Sequence, residues 1–302
     1  MPYRRFVLMV ASLGVVLATL TSFANASSFS AVIVYGDSLS DNGNLYALTG
    51  LPPSPPYDQR FSNGPVAVEQ LAAILGAPLH DFAFGGATSG IGNYADGGTQ
   101  TSLGSFGLPG MQLELAASTP ILTPPLTSTA LFVVWGGAND FLVNGSVTTA
   151  VANIDSIVAT LLGDGAQHIL VPGMPDLGLT PDFYGNPLAT AYAEQFNALL
   201  LASLPSGVTY FDTFGLLHSV TADPAAYGLT DVADPCFNGT TVCSNPDQYL
   251  FWDGFHPTTA TDAIVASQFA AATTPEPSSI MLIGSGLSGL LVLVRRKYRR
   301  TP

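Results

Sequence analysis

Ser38, Asp253 and His256 are residue types that together can cleave an ester: a hydroxyl nucleophile, an imidazole to take its proton, and a carboxylate to orient that imidazole. Ser38 follows the apolar stretch 31–35 within Gly36-Asp37-Ser38, where Gly36 gives the backbone the freedom to expose a hydroxyl at a turn. His256 stands in Trp252-Asp253-Gly254-Phe255-His256-Pro257, just ahead of the last segment with helical spacing. Asp253, three residues earlier, can return in a tight turn to the second ring nitrogen and fix the tautomer. An oxyanion formed during acyl transfer needs donors that keep their protons, which the backbone N–H groups of Ser38 and Gly86 and the side-chain amide of Asn139 supply. Taken singly, each has an ordinary reading: a turn serine, a helix-capping Asp–His pair, an Asx turn, a turn glycine. Their joint placement gives them weight. His80, His168 and His218 lie in or beside apolar segments without such a carboxylate, and read as hydrogen-bonded structural histidines.

That placement follows from the elements that carry the residues. Short apolar runs of strand character occur at 31–35, 79–84, 131–135, 169–171 and 208–211, separated by segments of helical spacing at 66–75, 147–162 and 189–204, with a last one at 259–271. Nearly continuous apolar strands alternating with helices predict a parallel sheet covered on both faces. Right-handed crossovers make it a three-layer α/β/α, doubly wound domain. In such a sheet functional groups gather at the carboxyl ends of the strands. Three consecutive strands end there in glycine-and-polar clusters: the one around Ser38, then Gly85-Gly86-Ala87, then Gly136-Gly137-Ala138-Asn139-Asp140. Two irregular stretches, 51–63 and 90–107, each follow one of these loops and are expected to shape a cleft.

The clusters carry a family resemblance. Gly36-Asp37-Ser38-Leu39-Ser40-Asp41-Asn42-Gly43-Asn44 resembles the first block of the GDSL/SGNH lipase/esterases, and Phe82-Ala83-Phe84-Gly85-Gly86-Ala87 the second. Gly137-Ala138-Asn139-Asp140 is similar to the third block, and Asp253-Gly254-Phe255-His256 to the last; Arg60-Phe61-Ser62-Asn63-Gly64-Pro65 is a further family-like segment. The likeness spans roughly 31–271. It implies a flavodoxin-like fold, catalytic Ser38, Asp253 and His256, an oxyanion hole completed by Gly86 and Asn139, and no metal or organic cofactor. Asp81 departs from the asparagine frequent before Phe-Ala, which leaves Gly85 and Gly86 as competing donors. The Gly-x-Ser-x-Gly elbow of α/β-hydrolases is absent around Ser38.

The ends concern location. Arg4 and Arg5, the apolar run 6–20 and Ala24-Asn25-Ala26 read as a signal peptide over 1–26. Pro275-Glu276-Pro277, the apolar run 280–294 and five basic residues from Arg295 to Arg300 order the other end as punctuation, membrane segment and cytoplasmic stop. This tail, 275–302, resembles a PEP-CTERM sorting signal, read by an exosortase-type transpeptidase; a simple single-pass anchor is the other reading. Either puts the body, 27–274, outside the cytoplasm. That body holds 20 acidic residues against Arg60 alone, a formal net charge of −19. Such a surface repels phosphate backbones, so nucleic acid is excluded as a partner. The only two cysteines, Cys236 and Cys243, enclose Asn238-Gly239 and read in an oxidising compartment as a disulfide clamping a hairpin, a two-cysteine metal site being the weaker option.

Three functions fit. The first is an ester hydrolase acting on lipid acyl groups or on acetyl groups of an extracellular polysaccharide. The second is an acyltransferase using the same residues. The third is a non-catalytic envelope binding protein, which would not require Ser38, Asp253, His256 and Asn139 together.

Overall fold

The computed structural model describes residues 29–273. The signal-peptide reading of 1–26 and the apolar run 280–294 lie outside those residues. Among the described residues no helix is long and apolar enough to cross a membrane.

In chain order the main elements are β1 (Val32–Gly36), α1 (Asn44–Thr49), α2 (Ala67–Leu75), β2 (Leu79–Asp81), α3 (Met111–Ser118), α4 (Leu126–Thr129), β3 (Leu131–Trp135), α5 (Ala138–Leu142), α6 (Val147–Gly163), β4 (His168–Pro172), α7 (Pro187–Ser203), β5 (Thr209–Phe211), α8 (Thr213–Ala222), β6 (Asp231–Pro235), β7 (Tyr249–Phe251) and α9 (Thr259–Thr273). The first five strands form one sheet in the order β2-β1-β3-β4-β5, and every pairing in it is parallel. That is the flavodoxin-like order, in which the sequence of strands reverses between β1 and β3.

Why these strands are apolar throughout is visible in what each face meets. Successive side chains point to opposite faces. Ile33 and Tyr35 of β1, with Phe132 and Val134 of β3, enter a core closed by α6 (Ile154, Ile157, Leu161) and α7 (Phe196, Leu200). Val32 and Val34, with Leu131, Val133 and Trp135, enter a second core closed by α2 (Val68, Leu71) and α9 (Ala266, Phe269). Both faces are dry, and β1 and β3 are buried at every position. Burying a Val, Leu, Ile or Phe side chain contributes about 1.5–3 kcal/mol, so the alternation holds the sheet between two helical layers.

The run at 79–84 is longer than the strand it becomes. After Asp81 the chain stays beside β1, with Phe82 N–H donating to Val34 O (3.0 Å) and Phe84 N–H to Gly36 O (3.3 Å), but leaves regular pairing. A buried carboxyl accompanies the change: Glu114 of α3 accepts from Gly36 N–H (2.9 Å) and shares the Phe84 N–H (3.1 Å) with Gly36 O. A second, two-stranded parallel sheet, β6-β7, leads into the segment that carries Asp253 and His256. Cys236 and Cys243 are joined in a disulfide with Cα atoms 4.8 Å apart, closing a hairpin in which Phe237 pairs with Val242 and Gly239 takes the left-handed conformation.

Candidate active site

The ends of β1, β2 and β3 lie side by side, so the loops after them share the edge where the strand order reverses. Ser38 sits in the turn after β1, where Ser40 and Asp41 N–H groups both donate to Asp37 O (3.0 and 2.9 Å). Gly36 is needed for packing: a Cβ there would collide with Trp135 O of the neighbouring strand. His256 arrives from the far end of the chain and places Nε2 2.8 Å from Ser38 Oγ. Its Nδ1 lies 2.9 Å from both Asp253 oxygens. Asp253 closes its own turn as well, Oδ1 accepting from Phe255 N–H (2.8 Å) and His256 N–H (2.7 Å). Three groups separated by up to 218 positions are thus linked in series.

The electrostatics favour an ionised Asp253. Burial by itself would raise the Asp253 carboxyl; the facing imidazole and the two backbone N–H donors outweigh it and hold the group down at about 2. A further donor comes from the irregular stretch 51–63: Tyr57 Oη donates to Asp253 Oδ2 (2.8 Å). Burial, then the adjacent Asp253 charge, push the Tyr57 phenol upward, so it remains a donor. Asp37 shows the opposite behaviour. Burial raises it to about 6; its Oδ1 accepts from Leu39 N–H (3.0 Å), while Oδ2 is buried with no partner among the described residues.

Ser38, Gly86 and Asn139 line one cleft. Gly85 N–H is occupied, donating to Asp41 Oδ2 (2.7 Å), whereas the N–H groups of Gly86 and Ser38 meet no protein acceptor among the described residues. Gly86 has φ +83°, and a Cβ on it would collide with Asn93 Oδ1, so both conformation and space require glycine. Asn139, in the first turn of α5, donates one Nδ2 hydrogen to Ala87 O (3.0 Å), which leaves the second free to turn toward the cleft.

Four residues that sequence reasoning passed over hold these loops. Asp41 accepts from Gly43, Asn44, Leu45 and Gly85 N–H groups, tying the Ser38 turn to the glycine turn. Asn93 donates to Gly85 O (3.0 Å) and Pro109 O (3.1 Å) and accepts from Ala95 N–H, pinning the glycine turn from the stretch 90–107. Asp140 accepts from Ser89 N–H and Oγ and from Gln100 Nε2 (2.6 Å), fastening that same stretch to α5. Glu114 bridges β1 and the chain after β2, as above. Asp41 and Asp140 stand in the quoted blocks and so had a signal; Asn93 and Glu114 had none.

The other histidines differ from expectation in part. His218 is hydrogen-bonded, Nε2 lying 3.0 Å from Asp176 Oδ2. His80 and His168 are exposed, His80 on the edge strand β2 and His168 at the first position of β4, where its ring and that of Phe29 form a T-shaped pair. No group of three or more metal-ligating side chains occurs among the described residues.

The cleft over Ser38 has a volume of about 490 Å3, and both irregular stretches line it: Leu51, Pro52 and Tyr57 from one, Tyr94 and Ala95 from the other. A doubly wound α/β domain with a hydroxyl, an imidazole and a carboxylate linked in series at its carboxyl edge is the architecture of an esterase or lipase. Residues 32–269 match the model of the GDSL-like Lipase/Acylhydrolase family, and the chain belongs to that family. It is a GDSL-type esterase/lipase. Residues 273–299 match the PEP-CTERM protein-sorting motif.

Similar proteins include a phosphatidylcholine-sterol acyltransferase of Aeromonas hydrophila, 30% identical over 77% of this chain and 73% of that protein. A GDSL esterase/lipase of Arabidopsis thaliana is 25% identical over 77% of this chain and 86% of its own. The thermolabile hemolysin of Vibrio parahaemolyticus is 27% identical over 78% of this chain and 62% of its own. Among solved structures, a lipolytic protein of the G-D-S-L family from Veillonella parvula covers 80% of this chain and 95% of its own, at 13% identity and a TM-score of 0.48.

Proposed function

We propose that the chain cleaves carboxylic esters through a covalent acyl-enzyme on Ser38. The observation that carries this reading is the 2.8 Å approach of His256 Nε2 to Ser38 Oγ, with Asp253 on the opposite ring nitrogen. His256 takes the Ser38 proton as Oγ attacks the carbonyl carbon, and the carbonyl oxygen gathers the negative charge beside Ser38 N–H, Gly86 N–H and the Asn139 amide. Asp253 holds the imidazole in the tautomer whose Nε2 accepts, and stabilises the imidazolium that forms. As the C–O bond breaks, His256 returns the proton to the departing alkoxide. Water, deprotonated by the same imidazole, then attacks the acyl carbon, and Ser38 recovers its proton as the acid leaves.

Lipid acyl esters and acetyl esters of an extracellular glycan are the substrate classes in view. The similarity to the phosphatidylcholine-sterol acyltransferase of Aeromonas hydrophila supports a second reading, transfer of the acyl group to an alcohol in place of water. The sorting motif supports export through a signal peptide at 1–26, handling of the tail by an exosortase-type transpeptidase, and residence of the body 27–274 in the envelope or outside the cell.

Labelling with a fluorophosphonate probe tests the assignment: wild type is expected to take up the probe at Ser38, and Ser38→Ala to lose both labelling and turnover of a p-nitrophenyl ester while keeping its thermal melt. Esterase activity left intact in Ser38→Ala would overturn it.

A further inference from the structure

Beside the cleft over Ser38 lies a second cavity of about 410 Å3, and the two share Tyr57, Asp182, Phe255 and His256 in their walls. Their chemistry differs. The first is apolar away from the reacting groups, with Leu45, Leu51, Leu142 and Phe183 in its wall. The second runs past His256 to the disulfide hairpin and is bounded by Phe237, Asn238 and Gly239.

Two of its polar side chains, Asn238 and Asp182, keep unused hydrogen-bonding capacity. Asn238 uses Oδ1 to accept from Thr240 N–H (3.1 Å) and Thr241 N–H (2.9 Å), while its Nδ2 has no acceptor among the described residues. Asp182 is tied down through its backbone, its N–H donating to Gly254 O (2.8 Å), and its exposed carboxylate has no donor among the described residues. Gly254, between Asp253 and His256, keeps that carboxylate at the junction of the two cavities, since a Cβ at 254 would collide with it. The one Lys or Arg of the body, Arg60, is committed elsewhere, donating from Nε and Nη2 to Glu69 and from Nη1 to Asp58 O. The second cavity therefore offers an acceptor, a donor and aromatic faces, with no cation to receive an anionic group.

Resting on the acyl-enzyme reading, we propose that this cavity holds the alcohol half of the ester, and that the alcohol is a neutral polyhydroxylated one of the glycerol or sugar kind, while the aliphatic acyl chain occupies the apolar cleft. The direction follows from the chemistry. The acyl oxygen must face the Gly86 and Asn139 donors, and the leaving oxygen must face His256, which returns the proton to it; whatever the leaving oxygen carries extends past His256. Hydroxyl groups can both donate to Asp182 and accept from Asn238, and the apolar face of a polyol or sugar can lie on Phe237. A phosphate-bearing alcohol would meet Asp182 as a like charge.

The experiment holds the acyl chain constant and varies the alcohol. Octanoate esters of methanol, glycerol, glucose and glycerol phosphate are compared on the full chain, in wild type, Asp182→Asn and Phe237→Ala. The proposal expects kcat/KM for the glyceryl or glucosyl ester to exceed that for the methyl ester at least ten-fold, with the glycerol phosphate ester below both neutral polyol esters. Each variant should reduce the polyol-to-methyl ratio at least five-fold, chiefly through KM. A wild-type ratio near one, a preference for the phosphate ester, or a ratio untouched by both variants overturns the proposal. Asp182→Asn is nearly isosteric, so its ratio remains readable if Phe237→Ala does not fold. Failure of the underlying reading looks different: no ester of any alcohol is cleaved and Ser38 takes no probe.

Discussion

Tyr57 and Asp253, 196 positions apart in the chain, share a hydrogen bond of 2.8 Å from the phenol to Oδ2, the same carboxylate whose oxygens hold His256. The Tyr57 ring is fixed edge-on against Phe237 and Trp252, with centroids 5.7 and 6.1 Å away, so the donor is aimed by packing. A neutral donor on an ionised carboxylate lowers its affinity for protons, and such a bond contributes about 1.5–3 kcal/mol. Tyr57→Phe keeps the ring contacts and removes the donor. With that donor gone the Asp253 carboxylate loses one of the contacts that fix it against His256, and kcat should fall roughly ten-fold at neutral pH. Steady-state kinetics on a p-nitrophenyl ester read this; an unchanged kcat would show that the tyrosine only packs.

The oxyanion donors give a second prediction. Gly86→Ala forces a side chain into a left-handed backbone position and against Asn93 Oδ1. Asn139→Ala removes a side-chain amide and leaves Ala87 O without its partner. Loss of one such donor costs about 10²–10³ in kcat with little change in KM, because the interaction is made in the transition state. Steady-state kinetics on both variants checks this. A large KM change with kcat intact would instead mark Asn139 as a ground-state binding residue.

What the sequence reveals is what is encoded locally. The strands of the main sheet are visible because each must be apolar on both faces, and Ser38, Gly86 and Asn139 because they sit one turn beyond a strand. Asp253 and His256 form a self-contained turn, and the same carboxylate that meets the ring also caps it. Less visible are groups whose role depends on long-range contact. Glu114 lies in a helix of ordinary composition, and only the assembled sheet shows that it accepts from N–H groups at the end of β1 and in the chain after β2. Tyr57 sits in a proline-rich loop with no periodic signal, and its partner comes from the other end of the chain. The sheet β6-β7 was hidden for another reason: two short, partly exposed strands lack the continuous apolar pattern of buried ones.

The disulfide supplies a third prediction. Cys236 N–H donates to Phe251 O (3.0 Å) and Phe237 N–H to Trp252 O (2.6 Å), so the hairpin it closes is laced to the residues immediately before Asp253. Closing a loop this short contributes about 2–3 kcal/mol in the chain-entropy account. A Cys236→Ser, Cys243→Ser double variant should lose that much stability, a fall in Tm of roughly 5–10 °C for a domain of this size. Activity should fall as well, through the loosened Asp253 turn. Calorimetry with and without reductant reads the first effect, and an unchanged Tm on reduction would refute it.

The buried carboxyls determine how stability responds to pH. Burial raises Asp37 to about 6 and lifts Asp41, Asp81, Glu114 and Asp262 as well. For an acid raised in the folded state, the native protein binds more protons than the unfolded chain between the two pKa values. Stability is therefore greatest below the unfolded value and declines as pH rises through the folded one. For Asp37, from 3.8 unfolded to about 6 folded, the decline is about 3 kcal/mol. Asp253 has the opposite sign: its contribution is present above 3.8 and disappears as pH falls toward 2, below the window in question. The charge of −19 on the body adds self-repulsion in the same direction as the raised group, and salt screens that part while leaving buried sites largely unaffected. Urea melts at high salt should thus show stability falling from about pH 4 to pH 7, and Asp37→Asn should flatten the curve across that interval. A wild-type curve that rises over this interval would mean that these carboxyls are ionised in the fold at little cost.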